Sequence, residues 1–298
     1  MSNRKLLIID DDRVDRITVV RGLRGVDGGY AVTEATTGAE GVALAARQPF
    51  DCVLLDYRLP DGDGLEFLVK LKNNSTISVP VIMLTGEGNE LVAVEAMKLG
   101  ASDYLPKAAM ASDALARVIG SAIEKHVLQA QLADALDRME RMALYDELTG
   151  LGNRNLFNRE LERAIGSADR HNERFCLMLM DLDDFKLVND GYGHLAGDSV
   201  LATIGRRLLE CARSSDGYFR LGGDEFAAIL DVASDEESAK SVAARISASV
   251  RQPIEYDGHS LQVGISIGWA IYPDDAGNDT DLVRTADHAM YADKQGRD

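Results

Sequence analysis

Between residues 6 and 105, five short strand-like segments alternate with four helical patterns, and this alternation leaves few folds open. The strand-like segments fall at 6–9, 31–34, 52–55, 81–84 and 104–105. Helical spacing of apolar residues separates them at 14–23, 39–47, 64–73 and 91–99. Strands apolar on both faces, each followed by a helix, predict an α/β doubly wound parallel sheet covered on both sides. Such sheets place their chemistry at the carboxyl ends of the strands.

Residues 112–144 contain no proline and a single glycine, Gly120, which predicts one long helix. Its first part, with Leu115, Val118, Ile119 and Ala122, suits packing on the first sheet. Further on, Leu128, Leu132, Ala135, Met139 and Met142 alternate steps of four and three, a heptad seam. The plain alternative is a stripe packed on its own domain. The seam runs well past the first domain's last expected helix, which favours pairing with a second copy.

The second half shows a different order. A helix is expected after Asn153, a strand at 175–182 and a helix at 198–211. A hairpin follows at 218–221 and 226–230, then a helix at 236–250, a strand at 261–270 and a helix at 280–291. This predicts an α+β, ferredoxin-like domain containing antiparallel strands. The expected division is 1–125, a linker helix at 112–144 continuous with the last helix of the first domain, and 145–298.

A chain of 298 residues exceeds the usual size of one core, in agreement with two domains. Its net charge of -17 disfavours binding to nucleic acid or to anionic membranes. Cys52, Cys176 and Cys211 share no metal-ligand spacing and read as reduced packing residues, which suits the cytoplasm. No apolar run is long enough to span a bilayer, and the first strand begins too early to leave room for a signal peptide.

Acidic and basic residues stand at the predicted strand ends of the first half. Asp10 and Asp11 follow the first strand, Asp56 ends the third, Thr85 ends the fourth and Lys107 follows the fifth. Grouped carboxylates bind a hard cation such as Mg²⁺, and one carboxylate can take up a phosphoryl group. A hydroxyl and an ammonium then neutralise phosphoryl oxygens. Any single aspartate would read as a solvated rim residue; five suitable residues at four strand ends do not.

The strings IIDDD (8–12), LLDYRLPDGDG (54–64), MLTGEG (83–88) and ASDYLPK (101–107) resemble the response-regulator receiver family, a flavodoxin-like fold. The resemblance implies that Asp56 accepts phosphate from a cognate histidine kinase. It implies one Mg²⁺ held by Asp10, Asp11, Asp56 and the Arg58 carbonyl, with Thr85, Tyr104 and Lys107 forming the switch. One departure is visible: Ala108 follows Lys107, where the family usually has proline, and Pro106 precedes it.

In the second half Gly222 and Gly223 lie between two strand candidates and precede Asp224 and Glu225. Glycines permit positive φ and close approach to a ligand, and the acids suit metal binding beside a phosphate. Alone, such a string also fits an ordinary solvated turn. If the strand ending in Asp181 neighbours this hairpin, its carboxylate joins the other two, and two Mg²⁺ ions there allow in-line phosphoryl transfer.

The motifs DELTGLGNR (146–154), DLDDFKLVND (181–190), GHLAGD (193–198), RLGGDEF (220–226) and ADHAMYADK (286–294) closely resemble the GGDEF diguanylate cyclase family, which condenses two GTP into cyclic di-GMP. The resemblance implies two Mg²⁺ (or Mn²⁺) per GTP on Asp181, the Leu182 carbonyl and Asp224. Asp224 or Glu225 would help deprotonate the attacking hydroxyl, and Lys186 would contact phosphates. Asn189 and Asp198 would read guanine, and Phe185, His194, Gly222 and Gly223 would complete the substrate pocket. Asp198 has a direct chemical sense: a carboxylate accepts from both N1–H and N2–H₂ of guanine, a donor pair that adenine lacks. Lys294 and Arg297 resemble terminal cations that meet the triphosphate, although their interval is one residue shorter than the family's and Asp293 replaces an alanine.

Arg213 and Asp216 match the family's RxxD inhibitory site for cyclic di-GMP, although an exposed local ion pair would look the same. One GGDEF domain resembles half of a site for two antiparallel GTP molecules, so catalysis implies a homodimer through the receiver and linker helix. The rival readings are a non-catalytic cyclic di-GMP sensor and a cyclase making a mixed dinucleotide.

Overall fold

The computed structural model describes residues 4–24, 29–74, 76–86, 90–111, 113–213, 215–231 and 235–296. Ser112, Glu87 and Gly88 of MLTGEG, Ser214 and Arg297 lie outside the described residues. Two compact units divide the chain, Met1–Ala135 and Leu136–Asp298.

In the first unit the order is β1 (Arg4–Ile9), α1 (Arg13–Gly22), β2 (Tyr30–Ala35), α2 (Gly38–Arg47), β3 (Cys52–Asp56), a small hairpin of β4 (Arg58–Leu59) and β5 (Gly62–Asp63), α3 (Gly64–Asn73), β6 (Val81–Thr85), α4 (Glu90–Lys98), β7 (Asp103–Pro106) and α5 (Asp113–Leu144). The sheet order is β2-β1-β3-β6-β7, parallel throughout. Side chains alternate across a strand, so Leu7, Ile9, Val53, Leu55 and Met83 pack on one face with Leu68 and Ala96. Leu6, Ile8, Leu54, Ile82 and Leu84 pack on the other with Val19, Leu115 and Ile119. Short polar side chains fix the helix starts: Asp12 accepts from the Val14 amide, Thr37 from Glu40 and Asp63 from Leu65.

Helix α5 buries Leu115, Ile119 and Ala122, whereas residues 127–143 are exposed along the whole stretch. Leu128, Leu132 and Met139 are 56%, 61% and 67% exposed, so within this chain the seam has no cover of its own.

The second unit contains α6 (Arg154–His171), β8 (Phe175–Asp183), α7 (Phe185–Tyr192), α8 (His194–Cys211), β9 (Gly217–Gly222), β10 (Glu225–Leu230), α9 (Glu236–Val250), β11 (Ile254–Tyr256), β12 (His259–Leu261), β13 (Gly264–Tyr272) and α10 (Asp279–Gln295). Its sheet runs β13-β8-β10-β9 with antiparallel neighbours. Met178, Met180, Phe226 and Ala228 face Val200, Ile204 and Ile246, while Leu177, Leu179, Ala227 and Ile229 face Phe157, Leu161 and Leu282.

Two expectations need correction here. The strand expected at 261–270 is two elements: Leu261 ends β12, and β13 begins at Gly264 and runs to Tyr272. The β11–β12 hairpin turns at Asp257 and Gly258, both at positive φ, an Asp-Gly signal that was legible in the sequence. Helix α8 starts at His194, not near Asp198, and α7 precedes it as a separate helix carried by buried Phe185 and Val188. Among the described residues no helix is long and apolar enough to cross a membrane. Cys52 and Cys176 are free and buried, and burial pushes both thiols up to about 12.

Candidate functional sites

Parallel winding brings the carboxyl ends of the first unit's strands onto one rim. Ligand oxygens of Asp10, Asp11 and Asp56 lie within 4.8 Å of one another. Asp10 and Asp56 are 0% and 4% exposed, and two buried carboxylates side by side are costly without a cation. The donors are all hard oxygens, which fits Mg²⁺. Lys107 Nζ supplies positive charge, 3.0 Å from Asp10 Oδ2, 2.9 Å from Asp56 Oδ2 and 2.6 Å from Asp15 Oδ2. Burial, then the charge of Asp56, pushes the Asp10 carboxyl up to about 6. Burial also raises Asp56, with Lys107 offsetting part of it. Burial works against the Lys107 ammonium, but hydrogen bonds to Asp15, Asp56 and Asp10 outweigh it and raise its pKa above the ordinary lysine value.

Backbone geometry holds this rim together. A Cβ on Gly64 would lie 2.2 Å from the Asp56 carbonyl oxygen, so only glycine lets α3 start this close to β3. The Tyr57 amide donates to the Leu84 carbonyl at 3.2 Å, and the Arg58 side chain is exposed. Thr85 is buried at the end of β6. Tyr104, 45% exposed on β7, lines a surface cavity of 580 Å³ with Ala93, Val94, Met97 and Lys98. Asp15 was not singled out from the sequence; its place in the first turn of α1 was the available signal.

In the second unit β8 runs between β10 and β13, with Asp181 opposite Glu225 on one side and Ser266 on the other. The Leu182 amide donates to the Asp224 carbonyl at 3.2 Å, which ties the hairpin tip to the strand carrying Asp181. Gly222 and Gly223 take φ of 148° and 55°, so the tip needs glycine. From α10, Lys294 donates to the Asp181 carboxylate. That bond raises the lysine's pKa, with Asp183 and Asp224 adding to it. The all-oxygen donors Asp181, Leu182 carbonyl and Asp224 also suit a hard divalent cation.

Two small features set the height of Lys294. A Cβ on Gly268 would lie 2.0 Å from the Met290 amide nitrogen, so α10 sits directly on β13. Asp293 accepts from the Ile267 amide at 3.0 Å, giving this departure from the family pattern a role in docking the helix.

At the end of β8, Lys186 is exposed on α7 and Asn189 is half-buried. A Cβ on Gly197 would meet Asn189 Oδ1 at 2.1 Å, so Gly197 seats that amide against α8 beside exposed Asp198. His194 is exposed at the first position of α8. Phe185 is buried beneath, with its ring packed toward Gly197, so it supports this corner from the core.

A further network links DELTGLGNR to the hairpin. Arg220 donates to the Gly223 carbonyl through Nε at 3.0 Å and Nη2 at 2.8 Å, and its Nη1 lies 3.2 Å from both Asp146 oxygens. Burial works against the Asp146 carboxylate, but hydrogen bonds from Thr149 and the Arg220 guanidinium hold its pKa below the ordinary range. Arg154 donates to the Leu221 carbonyl at 2.9 Å. In the same loop Asn153 bonds the Ala143 and Leu144 carbonyls at the end of α5.

Arg213 and Asp216 line a separate 410 Å³ cavity with Ser238, Ser241 and Arg245. The Arg213 amide donates to Asp216 Oδ2 at 3.0 Å, and Arg245 donates to the Cys211 carbonyl at 3.2 Å. Arg245, 29 residues beyond Asp216 in sequence, gave no local signal.

Two family models match the chain. Residues 143–298 match the family described as diguanylate cyclase, GGDEF domain, and residues 6–119 match the response regulator receiver domain. The first match spans more than half of the chain, so this chain belongs to the GGDEF diguanylate cyclase family, and it carries a receiver domain ahead of that domain. It is 40% identical over 168 residues to the diguanylate cyclase TpbB of Pseudomonas aeruginosa, covering 56% of this chain and 39% of that protein. It is 41% identical over 172 residues to the bifunctional diguanylate cyclase/cyclic di-GMP phosphodiesterase MucR of the same organism, covering 57% of this chain but only 25% of MucR. The response regulator PleD of Caulobacter vibrioides is 28% identical, covering 97% of this chain and 63% of PleD. Among solved structures, the coiled coil and GGDEF domain of DgcB from Caulobacter crescentus in complex with c-di-GMP aligns with a TM-score of 0.54 and 28% identity, covering 62% of this chain and 96% of that one.

Proposed function

We propose that this chain is a phosphorylation-regulated diguanylate cyclase that converts two GTP into cyclic di-GMP and two diphosphates. The observation that carries this is the register of β8 against the hairpin, which sets Asp181 opposite Glu225 while Lys294 reaches Asp181 from α10. Asp198 and Asn189 accept and donate at the guanine edge, Lys186 and Lys294 meet phosphate oxygens, and Asp224 or Glu225 takes the proton of the 3′-hydroxyl. Mg²⁺ or Mn²⁺, when bound, supplies charge neutralisation on the triphosphate and lowers the pKa of the attacking hydroxyl. The 3′-oxygen bonds to the α-phosphorus of the other GTP, and diphosphate leaves. Two such sites must face each other, so the reading includes a homodimer, and the uncovered α5 seam supports pairing there.

Asp56 is read as the acceptor of a phosphoryl group from a histidine kinase, and the buried cluster of Asp10, Asp56 and Lys107 supports that role. Product feedback is read at Arg213 and Asp216, with Arg245 as a second cation in the same cavity. Incubation of the purified chain with GTP and Mg²⁺, with and without beryllofluoride, tests the whole reading. Cyclic di-GMP is expected, with none from Asp181→Asn. A well-folded dimer that leaves GTP untouched under both conditions would leave a cyclic di-GMP sensor as the remaining reading. Equal rates for wild type and Asp56→Asn under both conditions would remove the regulatory part.

A further inference from the structure

We propose that Asp15 is a positioning residue for phosphoryl transfer at Asp56, limiting how strongly the Lys107 ammonium can hold the phosphoryl group. This rests on the reading of Asp56 as the phosphoryl acceptor. An ammonium has three N–H donors. Lys107 Nζ meets three carboxylate oxygens, at 3.0 Å for Asp10, 2.9 Å for Asp56 and 2.6 Å for Asp15. The shortest contact therefore goes to a residue outside the cation-binding group of Asp10, Asp11 and Asp56.

Asp15 is held where it is. It sits in the first turn of α1, whose start is capped by Asp12. The next residue, Arg16, donates to the carbonyls of Asp10 at 2.9 Å and Asp11 at 3.1 Å, and to Glu34 at 2.6 Å. The turn carrying Asp15 is thus fastened to the same rim that carries the acceptor. With its side chain 22% exposed, the Asp15 charge is only partly screened by water.

The chemistry gives this contact a consequence. An Asp56 oxygen attacks the phosphorus of an acyl phosphate, the oxygen–phosphorus bond forms, and the bond to the acyl oxygen breaks. The leaving carboxylate takes that electron pair. The phosphoryl group left on Asp56 carries two negative charges and draws on Lys107 for compensation. Asp15 keeps one of the three donors and sets a negative charge against the same ammonium. The phosphorylated state is thereby held less tightly than Lys107 alone would hold it.

The test titrates the full chain with beryllofluoride in the presence of Mg²⁺, read by fluorine NMR, for wild type, Asp15→Asn, Asp15→Ser and Asp15→Glu. Removing one like charge beside an anion site predicts half-saturation at about tenfold lower beryllofluoride for Asp15→Asn and Asp15→Ser. Asp15→Glu restores the charge and is expected to return toward wild type, which loss of a mere packing contact would not do. Equal half-saturation for wild type and Asp15→Asn, or weaker binding in both uncharged variants, overturns the inference. If wild type binds no beryllofluoride and takes no phosphoryl group from acetyl phosphate, the reading of Asp56 itself fails, and the inference with it.

Discussion

Replacing Arg220 with alanine tests how the hairpin tip is held. The guanidinium bonds the Gly223 carbonyl twice and both oxygens of Asp146, and the Arg220 and Asp146 side chains are only 14% and 24% exposed. A charge-assisted bond at such a site is worth about 1.5–3 kcal/mol and a bond to a carbonyl about 1 kcal/mol, so Arg220→Ala should cost about 3 kcal/mol. The chain's single tryptophan, Trp269, lies in β13, so its fluorescence reports unfolding of the second unit. With a urea dependence near 2 kcal/mol per molar, the midpoint should fall by about 1.5 M. The pH dependence carries a sign. The Asp146 carboxyl lies below its ordinary value, so its contribution is present above the unfolded value near 4 and is lost as pH falls through the folded one. The difference between wild type and variant should therefore be full at neutral pH and shrink below about pH 4. A loss below about 0.5 kcal/mol, the size of an ordinary surface substitution, would refute the reasoning.

Three further outcomes are expected. Gly268→Ala drives a Cβ into the backbone of α10, 2.0 Å from Met290 and 2.3 Å from Ala286, so it should cost about 3 kcal/mol in the same urea titration. Gly64→Ala pushes α3 against the Asp56 carbonyl, and fluorine NMR should show loss of beryllofluoride binding in a unit that still folds. Leu132→Asp places a charge on an exposed apolar seam, so mass measurement should show a shift toward monomer, with unchanged thermal unfolding of the monomer itself.

Much of the first unit was legible because its pattern is local. Apolar strands and capped helices announce themselves over a few residues, and a parallel sheet obliges the ends of those strands to share one rim. The residues at those ends, from Asp10 to Lys107, were therefore identifiable before any coordinates. The GGDEF motifs were legible for the same reason, as short strings with fixed spacing. Reading failed where an alternating apolar pattern was continuous in sequence but broken in space, as at Leu261 and Gly264.

By itself the sequence determined the two folds, the long helix between them and the residue types that each site requires. Tertiary structure alone decided the long-range pairings: Arg220 on Asp146, Lys294 on Asp181, Arg245 beside Asp216 and Asp15 on Lys107. Those contacts join residues separated by tens of positions, and their geometry depends on how closely backbones approach at Gly64 and Gly268. Side-chain periodicity records which face of an element is buried, but it holds no record of which distant partner lies opposite.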